Sequence, residues 1–203
     1  MVVQARGIIA AGCTASCNGH RKSISLRSAP NCPIRAATSA DAPVLAELNG
    51  VVQQVHHEAL PGQFKAPDPD AVKGLFDTWL ERAETLSFLA EDDSSGRPVG
   101  YVLAEEVRRA ETPLTLPGSA MYVHHIAVEP SATRHGWARA LMRAVEDEGT
   151  RRQLDEVRLD YWSFNDRAQS LFAALGYAPF NVRVAKRSDR HPSHLTVGRS
   201  GAS

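Results

Sequence analysis

The chain has 203 residues, of which 43% are hydrophobic and 23% charged, and its 23 Lys and Arg residues balance its 23 Asp and Glu residues. This balance excludes a strongly basic surface for nucleic acid or an anionic membrane. No apolar run approaches the roughly 20 residues that a membrane-spanning helix needs, so we expect a soluble protein with one well-filled core.

The N-terminal segment, residues 1–32, carries several Arg and Ser residues, no acidic residue and no long apolar stretch. Such a composition is typical of a disordered leader or an organelle transit peptide, and it also fits a start codon assigned too far upstream. We expect a folded domain over residues 33–187 and a flexible tail over residues 188–203. The expected location is the cytoplasm, or an organelle if residues 1–32 act as a targeting segment.

All three cysteines, Cys13, Cys17 and Cys32, lie in this leader. Cys13 and Cys17, with His20, have part of the spacing of a metal site, but no further pair of ligands follows at a suitable distance. We therefore expect free thiols and no bound metal.

Hydrophobic spacing predicts a strand and two helices at the start of the domain. Residues 33–37 favour a strand, and Thr38 with Asp41 three residues later is typical of a helix capping box. A second helix is expected over residues 70–82, after a loop with two prolines. The inward side chains are expected to be Val44, Leu45, Leu48, Val51 and Val52 in the first helix, and Val72, Leu75, Phe76, Trp79 and Leu80 in the second.

Strands then dominate, with two further helices among them. Residues 87–90 and 98–106 flank the turn Asp92-Asp93-Ser94-Ser95-Gly96 and predict a hairpin. The remaining elements are expected to be a strand at 121–128, a helix at 136–152, a strand at 157–161, a helix at 165–175 and a last strand at 177–185. The order β-α-α-β-β-β-α-β-α-β predicts an α/β (α+β) protein with a mixed sheet and helices on its faces.

The segment that points to chemistry follows strand 121–128 and opens the next helix. It reads Thr133-Arg134-His135-Gly136-Trp137-Ala138, with Gly136 and Ala138 small where the first backbone N–H groups of a helix have no internal partner. Together with the helix dipole, these N–H groups form a site for a phosphate or pyrophosphate, and Arg134 and Arg139 add positive charge. No Walker A or G-x-G-x-x-G pattern is present.

With this turn, the sequence resembles the GNAT superfamily of N-acetyltransferases. That family carries Gln/Arg-x-x-Gly-x-Gly/Ala after a strand ending Val-x-Pro, as in Val128-Glu129-Pro130, and Thr133 departs from its first position. A second block, Asn165-x-x-Ala168-x-x-Leu171-Phe172-x-x-Leu175-Gly176-Tyr177, also agrees. The resemblance covers residues 33–187 and implies the GNAT fold, with a mostly antiparallel sheet of about six to seven strands and about four helices.

The resemblance further implies acetyl-CoA as co-substrate and assigns it to two segments. Main-chain groups near Ala127 and Val128 are expected at the thioester, Asn165 at the pantetheine arm or the nearby backbone, and Phe172 where many members have a tyrosine that acts as acid. The expected cofactor-binding residues are Ile126, Ala127, Val128, Thr133, Arg134, His135, Gly136, Trp137, Ala138, Arg139, Asn165 and Phe172.

Acetyl transfer to an amine needs a base, and strand 121–128 offers His124 and His125, whose side chains titrate in the useful range. Because neighbouring residues in a strand point to opposite faces, we expect the two rings on different sides of the sheet. His125 is favoured, since its parity groups it with Val123 and Ala127, and a packing role is the alternative for either histidine.

Phe172 has no proton to give, so the acid is expected to be Tyr161, Ser163 or Tyr177, unless the thiolate leaves unassisted. In the loop over residues 56–65, Glu58 is expected to bind a cationic amine and Phe64 to stack on it, with a lid of no substrate role as the alternative.

The sequence thus predicts an N-acetyltransferase acting on a primary amine of a small molecule or a protein N-terminus. The alternatives are a non-catalytic acyl-CoA-binding or sensing module and a transferase with a longer acyl donor. No nucleic-acid or membrane partner is expected, and the resemblance allows a homodimer through the last strands.

Overall fold

The computed structural model describes residues 33–186, so the predicted leader with its cysteines and the predicted tail from residue 188 lie outside the described residues. Two short 3-10 turns precede α1 and α3, at Ser39–Asp41 and Pro130–Ala132. None of the helices in this part of the chain is long and apolar enough to cross a membrane. The elements are β1 (Ile34–Ala36), α1 (Ala42–Ala59), α2 (Pro69–Leu80), β2 (Thr85–Glu91), β3 (Pro98–Arg109), β4 (Gly118–Val128), α3 (Trp137–Arg151), β5 (Glu156–Leu159) and α4 (Asp166–Ala174).

The chain forms two compact units. The first comprises residues 33–52 and 68–160 of the described chain, and it holds the five strands, α2, α3 and the beginning of α1. The second comprises residues 53–67 and 161–186, and it holds the end of α1, the loop that follows it, and α4.

The sheet of the first unit has the strand order β1-β2-β3-β4-β5. Neighbouring strands are antiparallel except for β4 and β5, which are parallel, as a mixed and mostly antiparallel sheet requires. The predicted strand over residues 177–185 is wrong, because residues 177–186 have no regular structure. Phe180, Val182 and Val184 alternate as in a strand but are exposed. The sheet therefore has five strands within the described residues, fewer than predicted.

One face of the sheet packs against α1 and α2. Leu45 and Phe76 from these helices are buried in one cluster with Leu89, Tyr101 and Leu103 from the strands. The periodicity predicted this face correctly except at one position. Leu75 is 46% exposed, so its predicted inward direction is wrong.

The opposite face packs against α3. A Cβ atom built at Gly149 of α3 would lie 3.7 Å from Met121 of β4 and from Val157 of β5. Met121 pairs with Glu106 of β3, so the two side chains lie on the same face. Leu103 is three residues from Glu106 along β3, and side chains an odd number of residues apart in a strand point to opposite faces. The two faces of the sheet are therefore covered by different helices.

The capping residue Asp41 fixes the entry to α1, as predicted. Its carboxylate accepts hydrogen bonds from the Thr38 backbone N–H at 2.7 Å and the Thr38 hydroxyl at 3.0 Å. Arg35 of β1 donates to the same carboxylate at 2.8 and 2.9 Å and to Glu91 at 2.6 Å. These bonds hold the pKa of Asp41 at about 2.

The predicted hairpin is confirmed by the antiparallel pairing of β2 with β3. Its turn is closed by the Asp92 carboxylate, which accepts hydrogen bonds from the backbone N–H groups of Ser94 at 3.1 Å and Ser95 at 3.0 Å. Gly96 completes the turn with φ = +64°, a left-handed conformation that glycine adopts without steric cost.

Candidate functional site

A β-bulge in β4 determines where the two candidate bases lie. Leu103 of β3 pairs with His125 and Ala104 pairs with Val123, so His124 is an extra residue without a partner position on β3. Since the bulge interrupts the alternation of faces, Val123 and His125 lie on opposite faces of the sheet. The predicted grouping of His125 with Val123 is therefore wrong, whereas its grouping with Ala127 holds.

Both histidine rings lie beside the same tryptophan of α2. The centroid of the Trp79 ring is 6.4 Å from that of His124, with an interplanar angle of 13°, and 5.4 Å from that of His125, with an angle of 73°. The prediction that the two rings point to different sides of the sheet is wrong, because it assumed an unbroken alternation. The bulge brings the two titratable rings together on the α1/α2 face.

His124 is tied to a carboxylate on the neighbouring strand. Its Nε2 lies 2.8 Å from Oε2 of Glu105, and Oε1 of Glu105 accepts a hydrogen bond from Arg82 at 2.5 Å. The edge of the ring meets Tyr122 at 5.0 Å, and the Tyr122 hydroxyl donates to Asp160 at 2.6 Å. Glu105 could not be identified from the sequence, because it lies 19 residues from His124 and the two residues meet only through the pairing of β3 with β4.

His125 lies deeper than His124. It is 6% exposed, and the aromatic rings of Phe76 and Trp79 lie 6.3 Å and 5.4 Å from its own. The side chain of His124 keeps 14% of its surface exposed. The two predicted bases thus share a face but differ in their access to water.

The backbone of β4 beyond the histidines loses its partner on one side. β5 pairs with β4 only from Ala120 to Val123, whereas β4 continues to Val128. Within the described residues, no strand pairs with Ile126, Ala127 or Val128 on that side. Main-chain groups there are available to a bound ligand, as the resemblance implied for the thioester.

The predicted pyrophosphate turn begins α3. Gly136 is the N-cap residue, has φ = +88° and has no side chain to cap the N–H groups of the first helical turn. A Cβ atom built on Gly136 would meet no atom within 4 Å, so the space beside the Gly136 Cα is open. A helix N-terminus with open space and uncapped N–H groups fits a pyrophosphate.

The other residues of this turn have distinct positions. The Thr133 hydroxyl donates a hydrogen bond to the Pro130 carbonyl at 2.9 Å, and this bond stabilises the turn. Arg134 has φ = +67° and is exposed, as are His135 and Arg139, while Trp137 is buried. Cationic side chains and exposed main chain therefore surround the open N-terminus of α3.

In the second unit, Asn165 and Phe172 have structural contacts of their own. The Asn165 Oδ1 accepts a hydrogen bond from the Ala168 N–H at 3.1 Å and caps α4. Phe172 is 4% exposed, and its ring lies 6.1 Å from Tyr161 and 5.9 Å from Tyr177. Tyr161 and Tyr177, both named as alternative acids, therefore lie beside Phe172.

The predicted acceptor residues of the second unit have different partners. Glu58 is exposed and its Oε1 accepts a hydrogen bond from Gln54 at 2.6 Å. The half-buried Phe64 stacks on His56 at 4.9 Å and meets Trp162 edge-on at 5.3 Å. Burial lowers the pKa of His56 to about 4, so this aromatic cluster contains a neutral imidazole at neutral pH.

The described residues contain no group of three or more His, Cys, Asp or Glu side chains arranged to hold a metal ion. The first unit combines a helix N-terminus without a side-chain cap, a stretch of β4 that β5 does not pair with, and two histidines with a carboxylate. Groups of these kinds can bind an anion and move a proton.

Solved structures with the same fold include several acetyltransferases. A variant of the BH1408 protein from Bacillus halodurans is 22% identical, with a TM-score of 0.68 over 79% of this chain and 98% of that chain. The aminoglycoside N-acetyltransferase AAC(6')-Iy in complex with CoA is 22% identical, with a TM-score of 0.57 over 78% and 95%. A possible acetyltransferase from Clostridium difficile 630 is 14% identical, with a TM-score of 0.61 over 79% and 99%.

The TM-scores show a common fold, and at these identities they show the fold alone. A comparison with curated protein sequences found no match. The predicted GNAT fold is confirmed, with the differences in strand number described above. The sequence itself matches the acetyltransferase (GNAT) family over residues 52–177, which is more than half of the chain. The chain therefore belongs to the GNAT acetyltransferase family.

Proposed function

We propose that this protein transfers the acetyl group of acetyl-CoA to a primary amine of a small molecule or a protein N-terminus, in the cytoplasm. The observation that carries the proposal is the uncapped N-terminus of α3, where Gly136 leaves the backbone N–H groups open to a pyrophosphate. Membership of the GNAT family supports it.

The donor is supported by a protein of the same fold. AAC(6')-Iy was solved with CoA and with the bisubstrate analogue CoA-S-monomethyl-acetylneamine. In this chain the pyrophosphate would bind at Gly136, Trp137 and Ala138, with Arg134 and Arg139 beside it. The thioester would lie along Ile126, Ala127 and Val128, where a main-chain N–H can stabilise the oxyanion.

The reaction requires a neutral amine at the thioester carbon. One of the two histidines of β4 would accept the proton that the amine loses, directly or through water. Tyr161 would protonate the departing thiolate, since its ring lies beside Phe172 in the second unit. Glu58 and Phe64 are the proposed contacts of the amine.

A second candidate function is a non-catalytic acyl-CoA-binding module. It is favoured by one observation, namely that Phe172 is buried and carries no hydroxyl where many members of the family have the acid. A transferase for a longer acyl donor would use the same residues, and competition among acyl-CoA donors in calorimetry separates it from an acetyltransferase. A homodimer is part of the proposal, and sedimentation tests it.

The central test is the substitution Gly136→Ala. The added methyl group disfavours the left-handed backbone that positions the first N–H groups of α3, so acetyl-CoA affinity should fall about tenfold or more, equivalent to about 1.4 kcal/mol. Calorimetry measures the affinity, and release of CoA thiol across a panel of amines measures transfer.

Gly96→Ala is the matched control. Gly96 also has a positive φ, of +64°, and open space around its missing side chain, but it lies in the β2–β3 turn. Both variants should therefore lose similar stability, while only Gly136→Ala should lose affinity. Equal affinities for the two variants would refute the cofactor site, and tight binding without transfer to any amine would favour the non-catalytic module.

A further inference from the structure

The bulged histidine of β4 and the carboxylate beside it suggest more than a pair of candidate bases. We infer that Glu105 is a positioning residue that makes His124, rather than His125, the base of the transfer. This inference rests on the proposed function and adds two assignments to it. It selects one histidine and names the residue that sets the histidine's tautomer.

The tautomer follows from the contact between the two side chains. An ionised carboxylate can only accept hydrogen bonds, so the nitrogen that faces it carries the hydrogen. The Nε2 of His124 lies 2.8 Å from Glu105 and is therefore the protonated nitrogen of the neutral ring. The lone pair is then on Nδ1, which forms no hydrogen bond within residues 33–186. His124 is thus prepared to accept a proton at a defined atom.

The orientation of the ring is also fixed. Trp79 lies nearly parallel to it, at an angle of 13°, and Tyr122 meets it edge-on at 5.0 Å. Arg82 holds the other oxygen of Glu105 at 2.5 Å, so the carboxylate cannot rotate freely. A base whose ring and partner are both held needs little reorganisation during the reaction.

His125 lies at a more buried position. It is 6% exposed, pairs with the buried Leu103, and has the rings of Phe76 and Trp79 among its neighbours. Forming an imidazolium ion there carries a larger desolvation cost than at His124, whose side chain is partly exposed and lies beside a carboxylate. His125 therefore belongs to the packing of this face, and His124 to the chemistry.

In the transfer step, the amine nitrogen forms a bond to the carbonyl carbon of acetyl-CoA. The carbon–sulfur bond then breaks and its electron pair leaves with the CoA thiolate. The amine proton passes to Nδ1 of His124, directly or through one water, and from there to solvent. Tyr161, the proposed acid, gives its proton to the thiolate and regains one from solvent. Amine and acetyl-CoA become amide and CoA thiol, with no other reactant.

The test compares Glu105→Gln with Glu84→Gln. Both glutamates pair with Arg82, Glu84 at 2.8 Å and Glu105 at 2.5 Å, but only Glu105 contacts His124. In ¹⁵N-resolved NMR spectra at a pH where imidazole is neutral, His124 should be the Nε2–H tautomer in the wild type and in Glu84→Gln. In Glu105→Gln, whose amide can donate as well as accept, it should shift towards the Nδ1–H tautomer.

Kinetics supply the second readout. Glu105→Gln should lower kcat by about tenfold or more through the wrong tautomer, and His124→Gln by roughly 10²- to 10⁴-fold, with the KM for acetyl-CoA unchanged in both. Glu84→Gln should keep the wild-type kcat. A Glu105→Gln enzyme with the wild-type tautomer or the wild-type kcat would overturn the inference alone.

Substitution of the other histidine completes the comparison. His125→Gln should lower the unfolding midpoint, and the fraction that remains folded should keep most of the wild-type kcat. If folded His125→Gln loses as much activity as His124→Gln is expected to lose, His124 is not the base. A wild-type protein that binds acetyl-CoA but acetylates no amine would instead refute the proposed function, and the base assignment with it.

Discussion

The side chain of His56 is a buried imidazole that is neutral in the folded protein at neutral pH. It is 7% exposed, its ring stacks on Phe64 and meets Phe164 edge-on at 5.9 Å, and its Nδ1 has no hydrogen-bond partner among the described residues. Burial lowers its pKa from 6.5 to about 4, because the charged form would lose its hydration. The unfolded chain therefore binds a proton at His56 at a pH where the folded chain does not.

This difference predicts a pH dependence of stability. Between pH 6.5 and about 4 the unfolded state holds more protons, so the free energy of unfolding should fall as the pH is lowered through this window. The loss attributable to His56 should approach about 3 kcal/mol, and His56→Phe should remove it. Urea unfolding at a series of pH values measures both.

Asp41→Asn serves as the control for that measurement. The pKa of Asp41 is lowered from 3.8 to about 2 by its bonds with Arg35 and Thr38, so its contribution is lost only below about pH 4. Asp41→Asn should therefore change stability at neutral pH but keep the slope between pH 4 and 6.5. If His56→Phe retained that slope, burial of a neutral His56 would be wrong.

The stability of helix α4 should depend on its N-terminal cap, Asn165. The Asn165 cap bonds the Ala168 N–H, and the family resemblance implies a second role at the pantetheine arm. Asn165→Ala should lower stability by about 1 kcal/mol, whereas Asn165→Asp should retain the cap and the stability. Thermal unfolding measures the cap and calorimetry the affinity for acetyl-CoA.

The two variants also separate the two roles. If Asn165 contacts the cofactor through its amide, acetyl-CoA affinity should fall in both variants, because Asp cannot donate from the side chain. Undiminished affinity in Asn165→Asp would show that the residue acts through its cap alone.

The helices and most strands could be predicted from the sequence because their signals are local. Apolar residues repeat at helical spacing in α1, α2 and α3, and Asp92 with Gly96 marks the hairpin turn. The strand expected at 177–185 shows the limit of such signals. Phe180, Val182 and Val184 alternate correctly, but a strand also needs a partner, and none of the described strands pairs with this segment.

The residues of the candidate site also differ in whether local sequence signals could identify them. Gly136 could be assigned from the sequence, because a glycine at a strand-to-helix junction is a local feature whose left-handed φ of +88° the structure then gave. The bulge at His124 could not, since it depends on the pairing of β3 with β4. Glu105 was missed for the same reason, because its contact with His124 also depends on this pairing.

The chain as a whole carries equal numbers of basic and acidic side chains, with a calculated pI of about 7.1. Molecules without net charge repel each other least, so the solubility of the full chain should pass through a minimum near pH 7 and rise on both sides. Precipitation with ammonium sulfate from pH 6 to 9 measures this. A monotonic trend through pH 7 would show that an uneven charge distribution outweighs the net charge.

The self-contained turn between β2 and β3 also has a practical consequence for experiments on this molecule. Asp92 closes the turn on Ser94 and Ser95, while the exposed side chain of Asp93 forms no hydrogen bond within residues 33–186. Exposed polar turn tips tolerate change well. In a variant in which Cys13, Cys17 and Cys32 are replaced by Ser, Asp93→Cys thus provides a single attachment point for a fluorophore or a surface linker. Single molecules can then be observed during turnover without modification of the sheet.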